Sequence, residues 1–220
     1  MKYSQFAVIG LGRFGSSLAK ELIAQGYEVM GIDKNEEIAD DMSDELTFTA
    51  AADTTDEEVL KELGIRNSDC VIIAIGNDIQ ASIMTAILLK DFGVKKVVAK
   101  ALSELHGRVL EKIGVDRVIY PERDMAIRLA HQLVQPNILD FIELSNKYTI
   151  AELSAPQKIS GKTLGKLDTR AKYGCSVVAL HKQEEILIAP SANDVVDKDD
   201  IMVLIGTKQQ IERFEDAVTD

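Results

Sequence analysis

Cysteine is nearly absent from this 220-residue chain: Cys70 and Cys175 lie far apart, each inside an apolar segment. With no CxxC pair there is no disulfide framework and no thiolate metal site, and two buried, reduced thiols in a reducing cytoplasm are expected. Tryptophan does not occur, and there are only three histidines. His106, His131 and His181 fall in unrelated segments with none of the spacings of a metal site, and read as surface or interface residues. Long apolar runs are missing too. The longest uncharged stretch of helical character, residues 79–89, is closed off by Asp78 and Lys90, far short of the ~20 residues that span a membrane. Residues 1–5 run straight into a strand, so no signal peptide is expected. The chain reads as soluble, with any membrane role exercised through a partner. Runs of Lys or Arg are also lacking. Against 25 basic residues stand 36 acidic ones, 15 and 22 of them up to residue 134 and 10 and 14 beyond it. Acidity spread in this way leaves no basic patch to displace counterions, so nucleic acid is excluded as a partner.

What is present is a regular alternation. Short β-branched runs at residues 6–9, 29–32, 47–51, 71–75, 96–99 and 117–120 read as buried parallel strands. Helical stretches lie between and after them at 12–24, 36–44, 56–63, 78–92, 104–113 and 122–134. Gly26, Gly64, Gly93 and Gly114 follow the last turns of their helices, where a left-handed cap is needed. The expected fold is α/β: a doubly wound parallel-sheet Rossmann domain over residues 1–135. At Gln135-Pro136-Asn137 the rhythm stops. Residues 136–143 read as a crossover or linker, with an apolar run from Ile138 to Leu144. Residues 144–220 read as a small α+β domain with strands at 148–155, 177–181, 186–188 and 201–205. A helical turn near 162–167, a polar hairpin turn at Lys182-Gln183-Glu184-Glu185 and a last helix at 208–218 complete it. A core of that size is marginal, which favours pairing with a second copy.

Gly10-Leu11-Gly12-Arg13-Phe14-Gly15 matches GxGxxG, directly after the first expected strand and opening the first helix, and Asp33 closes the second strand 23 residues after Gly10. In that context the pattern marks a dinucleotide-type fingerprint. Gly10 permits the tight turn, Gly12 lets the backbone approach a phosphate and Gly15 lets the helix pack closely. The helix N-terminus offers unpaired N–H groups. Asp33 is placed to accept both ribose hydroxyls, and its charge repels a 2′-phosphate. Arg13 suits a terminal phosphate through bidentate contact, which tilts the ligand from NAD(H) toward ATP or ADP. Phe14, Asn35, Ala74, Gly76 and Asn77 complete the loops expected around the nucleotide. Asp53-Thr54 after the third strand is expected near the base. Lys100 after the fifth either reaches phosphate or is solvated. Catalysis is harder to place, because no Tyr-x-x-x-Lys pair, GxSxG or GxxxxGK[ST] occurs. The chain reads as a sensor and not an enzyme. An NAD-dependent oxidoreductase or a free-standing NAD(H) or redox sensor stands as the alternative.

The stretches Phe6-Ala7-Val8-Ile9-Gly10-Leu11-Gly12-Arg13-Phe14-Gly15, Ala74-Ile75-Gly76-Asn77-Asp78-Ile79-Gln80-Ala81-Ser82, Tyr120-Pro121-Glu122-Arg123-Asp124-Met125 and Leu167-Asp168-Thr169-Arg170-Ala171-Lys172-Tyr173-Gly174 resemble the motifs of the RCK (regulator of K⁺ conductance) family. The resemblance implies a cytoplasmic regulatory subunit, peripheral to the inner face of the cell membrane. Dimers would assemble into an octameric ring beneath a membrane potassium-pore subunit of Ktr/Trk type. It implies ATP or ADP in the Rossmann lobe, with Arg13 on the γ-phosphate and Asp33 on the ribose. It also implies a divalent cation, Mg²⁺ or Ca²⁺, on Glu122 at a dimer interface. By the residues alone, Pro121, Glu122 and Asp124 make an ordinary helix start. In the second domain it implies cyclic di-AMP across a dimer, held by Asp168 and Arg170 with Leu164 and Val177 as apolar walls. The pattern departs at Ser176, where relatives often have Asn, and at Ala192, where a second Pro commonly follows Pro190. By the residues alone, Asp168 and Arg170 make an exposed ion pair.

Overall fold

The computed structural model describes residues 5–134, 138–145, 147–183 and 185–219. Gln135-Pro136-Asn137, read as the break between domains, Glu184 of the hairpin and the first four residues lie outside that set. The chain divides into two compact units, Met1–Pro121 and Glu122–Asp220.

In the first unit strands and helices alternate as β1 (Gln5–Ile9), α1 (Arg13–Ala24), β2 (Glu28–Asp33), α2 (Glu36–Asp41), β3 (Phe48–Ala51) and α3 (Glu57–Glu62). There follow β4 (Cys70–Ile73), α4 (Ile79–Asp91), β5 (Val97–Lys100), α5 (Glu104–Ile113) and β6 (Arg117–Ile119). The six strands form one sheet in the order β3-β2-β1-β4-β5-β6, with every pairing parallel. That is the doubly wound order, which reverses between β1 and β4. Both faces are covered, and β4, Cys-Val-Ile-Ile, is buried along its whole length. Alternation sorts the strands between two cores: Ala7, Ile9, Val71 and Ile73 pack on one face, Val8, Cys70 and Ile72 on the other. Each fully buried aliphatic side chain contributes about 1.5–3 kcal/mol. Gly26, Gly64, Gly93 and Gly114 all carry positive φ at the helix ends where a left-handed residue is needed. Cys70 and Cys175 are buried free thiols, and burial pushes both above the usual thiol range.

The second unit opens with α6 (Pro121–Val134), whose first residue closes the preceding unit. It continues as β7 (Ile138–Glu143), β8 (Tyr148–Ser154), β9 (Lys162–Thr163), α7 (Leu164–Leu167), α8 (Thr169–Tyr173) and β10 (Ser176–Lys182). The remainder is β11 (Glu185–Ile188), β12 (Val195–Val196), β13 (Ile201–Thr207) and α9 (Lys208–Thr219). Five strands pair antiparallel in the order β11-β10-β13-β8-β7, and β12 pairs with β9. The central strand β13 buries every second residue, Met202, Leu204 and Gly206. Ile211, Phe214 and Val218 recur at helical spacing along α9 and bury themselves in the same core. Phe214 meets Tyr173 edge to face, with ring centroids 5.3 Å apart.

Several expectations need correction. Residues 138–143 are not a crossover but strand β7, paired with β8 through a turn that Leu144 N–H closes on the Tyr148 carbonyl at 2.9 Å. Ile138 is buried and Leu139 exposed, the alternation of a half-buried strand rather than of a linker. Compactness puts the break at residue 121 and not 135, so α6 goes with the second unit. The helical turn near 162–167 is a short strand followed by α7, and α8 was not foreseen because a five-residue helix is too short to show a period.

Candidate functional site

The site follows from where the parallel strands end. Helices α2, α3, α4 and α5 are each capped by a side-chain oxygen, from Asn35, Asp56, Asp78 and Ser103. Helix α1 is not: its N-cap is Gly12, no side chain caps it and its first turn carries no acidic residue. Its N-terminal N–H groups face the loop with their positive potential uncompensated by any such group.

The three glycines of the loop answer to three geometries. Gly10 has φ +91°, and a β-carbon there would sit 3.0 Å from the backbone of Ala74 and Ile75, so the end of β4 closes directly against the turn. At Gly15 a β-carbon would lie 1.9 Å from the Gly10 carbonyl oxygen; only glycine brings α1 this close to the strand end. At Gly12 it would meet nothing within 4 Å, which leaves open space before the helix. Arg13, the first residue of α1, is exposed beside that space.

Asp33 ends β2, and its carboxylate is held from two sides. Oδ2 accepts the Leu11 N–H at 2.7 Å and Oδ1 accepts the Asn35 N–H at 2.9 Å. With four lone-pair positions on a carboxylate, two remain to accept further donors. Asn35 spends its own Oδ1 on capping α2 through Glu37 N–H at 3.0 Å. Gly76 and Asn77 follow β4 and are exposed, and Gly76 has open space where a side chain would be. The loops after β1, β2 and β4 thus meet at the point where the strand order reverses.

Two residues behave differently from their reading. Lys100 is not solvated: it is 7% exposed, and its ammonium sits 5.8 Å from the centre of the Phe14 ring, tying the end of β5 to the glycine loop. Thr54 is buried, its hydroxyl 2.9 Å from that of Thr85 on α4, so its side chain anchors the loop after β3 instead of offering a hydroxyl to a base. Neighbouring Asp53 is exposed. The Thr55 hydroxyl and N–H hold its carboxyl below the usual range. His106, read as a surface or interface residue, is buried in the first turn of α5, where Nδ1 accepts the Leu102 N–H at 3.3 Å and Nε2 has no partner among the described residues. His181 is exposed on β10, and the His131 side chain falls outside the described set.

In the second unit Asp168 joins α7 to α8 in the left-handed conformation (φ 47°, ψ 49°), a region Asp tolerates better than most residues. It and Arg170 are exposed, and no ion pair joins them. Leu164 and Val177 are half-buried against the core of this unit, and Ser176 begins β10. Gly165 N–H donates to the Ala192 carbonyl at 2.8 Å, which brings the 192 loop against α7. Glu122 is exposed in the first turn of α6. Among the described residues no group of three His, Cys, Asp or Glu side chains is arranged to hold a metal ion. No helix there is long and apolar enough to cross a membrane.

A doubly wound nucleotide fold joined to a small antiparallel unit defines a class, and sequence comparison agrees with it. Residues 6–121 match the TrkA-N domain and residues 148–219 the TrkA-C domain. Ktr system potassium uptake protein C of Bacillus subtilis (strain 168) is 46% identical over 214 residues, covering 97% of each chain. Protein A of the same system and organism is 44% identical over 215 residues, covering 98% of this chain and 97% of that one. The structure of the GsuK channel bound to NAD superposes with a TM-score of 0.66 at 18% identity, covering all of this chain and 40% of that one, and agrees with the fold. The chain belongs to the RCK family of paired TrkA-N and TrkA-C domains, as a subunit of the KtrA/KtrC type. These relatives are named as potassium uptake proteins, in line with a chain that is not an enzyme.

Proposed function

We propose that this chain is a nucleotide-sensing regulatory subunit that gates a membrane potassium-pore subunit of Ktr/Trk type from the cytoplasmic side. The observation that carries the nucleotide part is the uncapped α1 behind an open Gly12, with the Asp33 carboxylate fixed beside the same loop. A phosphate chain suits the first and a free ribose diol the second. Arg13 at the helix start favours ATP or ADP over NAD(H), because a terminal phosphate gives a guanidinium two oxygens to hold. The end-to-end match to potassium uptake proteins supports the pore partner.

Nucleotide binding at the loop would reset the geometry of an assembled ring, octameric in this reading and built from dimers. Glu122 supplies a single carboxylate, so Mg²⁺ or Ca²⁺ there would need ligands from a second copy or from nucleotide phosphate. In the second unit the exposed Asp168 and Arg170, with half-buried Leu164 and Val177 on the same unit, support cyclic di-AMP at a two-fold axis. The test is a thermal-shift panel on the full chain with ATP, ADP, NADH, NADPH and cyclic di-AMP, each with and without Mg²⁺ or Ca²⁺. Stabilisation by ATP and ADP above NADH and NADPH is expected, at about 2.7 kcal/mol for ligand at ~100 times Kd. Stabilisation by NADH alone would move the site to the dinucleotide reading.

A further inference from the structure

The carboxylate of Asp33 does more than face a ribose. Leu11 and Asp33 lie 22 residues apart, yet the Leu11 N–H donates to Asp33 Oδ2 at 2.7 Å. Leu11 sits between the two glycines that shape the loop, and its side chain is buried. The peptide that carries this N–H is therefore pinned at one end by the core and at the other by the carboxylate. The neighbouring backbone gives the same loop a second tie, since Gly10 N–H donates to the Ile32 carbonyl at 2.7 Å. On its other side the carboxylate is anchored by the Asn35 N–H. A group held this firmly cannot relax toward a ligand without moving the loop, and the loop cannot move without unseating the group.

We infer that Asp33 is a positioning residue for the phosphate loop as well as a ribose acceptor, acting through the Leu11 N–H, so that ribose and phosphate recognition are coupled through one carboxylate. This rests on the nucleotide site proposed above and adds a consequence which that reading lacks. If Asp33 served the ribose alone, its loss would be silent toward a nucleotide with no ribose hydroxyls. If it also holds the loop, the loss is felt by every nucleotide that reaches Gly12 and Arg13. The nature of the replacement matters too. Asparagine keeps one side-chain oxygen for the Leu11 N–H, whereas alanine keeps none.

The experiment is calorimetric titration of the full chain and of Asp33→Ala and Asp33→Asn with ATP and with 2′,3′-dideoxy-ATP. The alanine variant is expected to bind dideoxy-ATP about tenfold more weakly than the unmodified chain, the factor for one hydrogen bond to a charged acceptor. Asparagine should recover most of that loss while remaining weak toward ATP. Equal binding of dideoxy-ATP by all three chains would overturn the inference and leave the ribose role intact. An unmodified chain that binds neither nucleotide would overturn the site reading and the inference together. Should the alanine chain not fold, hydrogen exchange at the Leu11 amide of the unmodified chain decides. Slower exchange with ATP than with dideoxy-ATP, both saturating, is expected, and equal exchange overturns the coupling.

Discussion

Two glycines of one loop, three residues apart, respond to the same substitution in opposite ways. At Gly15 an added methyl lands 1.9 Å from the Gly10 carbonyl oxygen and 3.2 Å from the Ala74 β-carbon. The first distance is more than an ångström inside van der Waals separation, and the obstacle is backbone, so helix α1 must retreat or the Gly10 peptide must turn. Over-packing of this kind costs about 1–3 kcal/mol, and a unit of this size loses roughly 3–6 °C of Tm per kcal/mol. At Gly12 the φ of −64° suits alanine, and its β-carbon would meet nothing within 4 Å. The entropic gain of about 0.4–1 kcal/mol is offset by a loss of roughly the same size when alanine takes an N-cap position from glycine, leaving stability nearly unchanged. That methyl would nonetheless stand where a phosphate approaches the helix N-terminus. Thermal unfolding with and without ATP separates the two cases. Gly15→Ala should unfold at least several degrees earlier without ligand; Gly12→Ala should unfold like the unmodified chain and gain no stability from ATP. A Gly12→Ala chain stabilised by ATP as strongly as the unmodified chain would refute the placement of phosphate at this loop.

Other outcomes follow from the same geometry. Arg13→Ala should weaken ATP more than ADP by calorimetry, because the guanidinium it removes is the group assigned to the terminal phosphate; equal weakening would remove Arg13 from that role. NADPH should stabilise the chain far less than ATP, since the Asp33 charge repels a 2′-phosphate, and a shift equal to that of ATP would contradict this. Burial holds the His106 imidazole below its ordinary range, so the unfolded chain binds a proton that the folded chain refuses. Stability should therefore be complete above about pH 6.5 and fall by up to about 1.4 kcal/mol per pH unit below it, until the depressed value is reached. Denaturant titration of His106→Gln against the unmodified chain should show that slope flattened. Arg170→Ala should abolish binding of cyclic di-AMP without changing the oligomeric state, read by calorimetry and light scattering; unchanged heat would assign the second unit to assembly alone.

How much of this could be read from the sequence depended on range. The glycine pattern, the strand before it and the acid at the end of β2 are local signals, and each sits where its spacing implies. The helix ends at Gly26, Gly64, Gly93 and Gly114 were equally legible, because a left-handed residue announces itself one position at a time. Whatever depended on a distant partner was not. The Leu11–Asp33 and Thr54–Thr85 bonds join residues 22 and 31 positions apart, and nothing in either segment names the other. Lys100 reads equally well as a phosphate ligand or a solvated side chain; its burial beside Phe14 exists only once β5 lies near β1. His106 followed the same pattern. Strand β7 was missed because a short apolar run after Pro136 reads equally well as a crossover, and only pairing with β8 distinguishes them.

Whether this chain conveys nucleotide state to a potassium pore is tested most directly by a flux measurement. Vesicles carrying a Ktr-type pore protein would be loaded with potassium and followed with the chain added in its ATP form, in its ADP form or left out. Flux that depends on the chain and differs between ATP and ADP, with the difference abolished in Arg13→Ala, is the expected result. Flux indifferent to the chain and to the nucleotide would contradict the account.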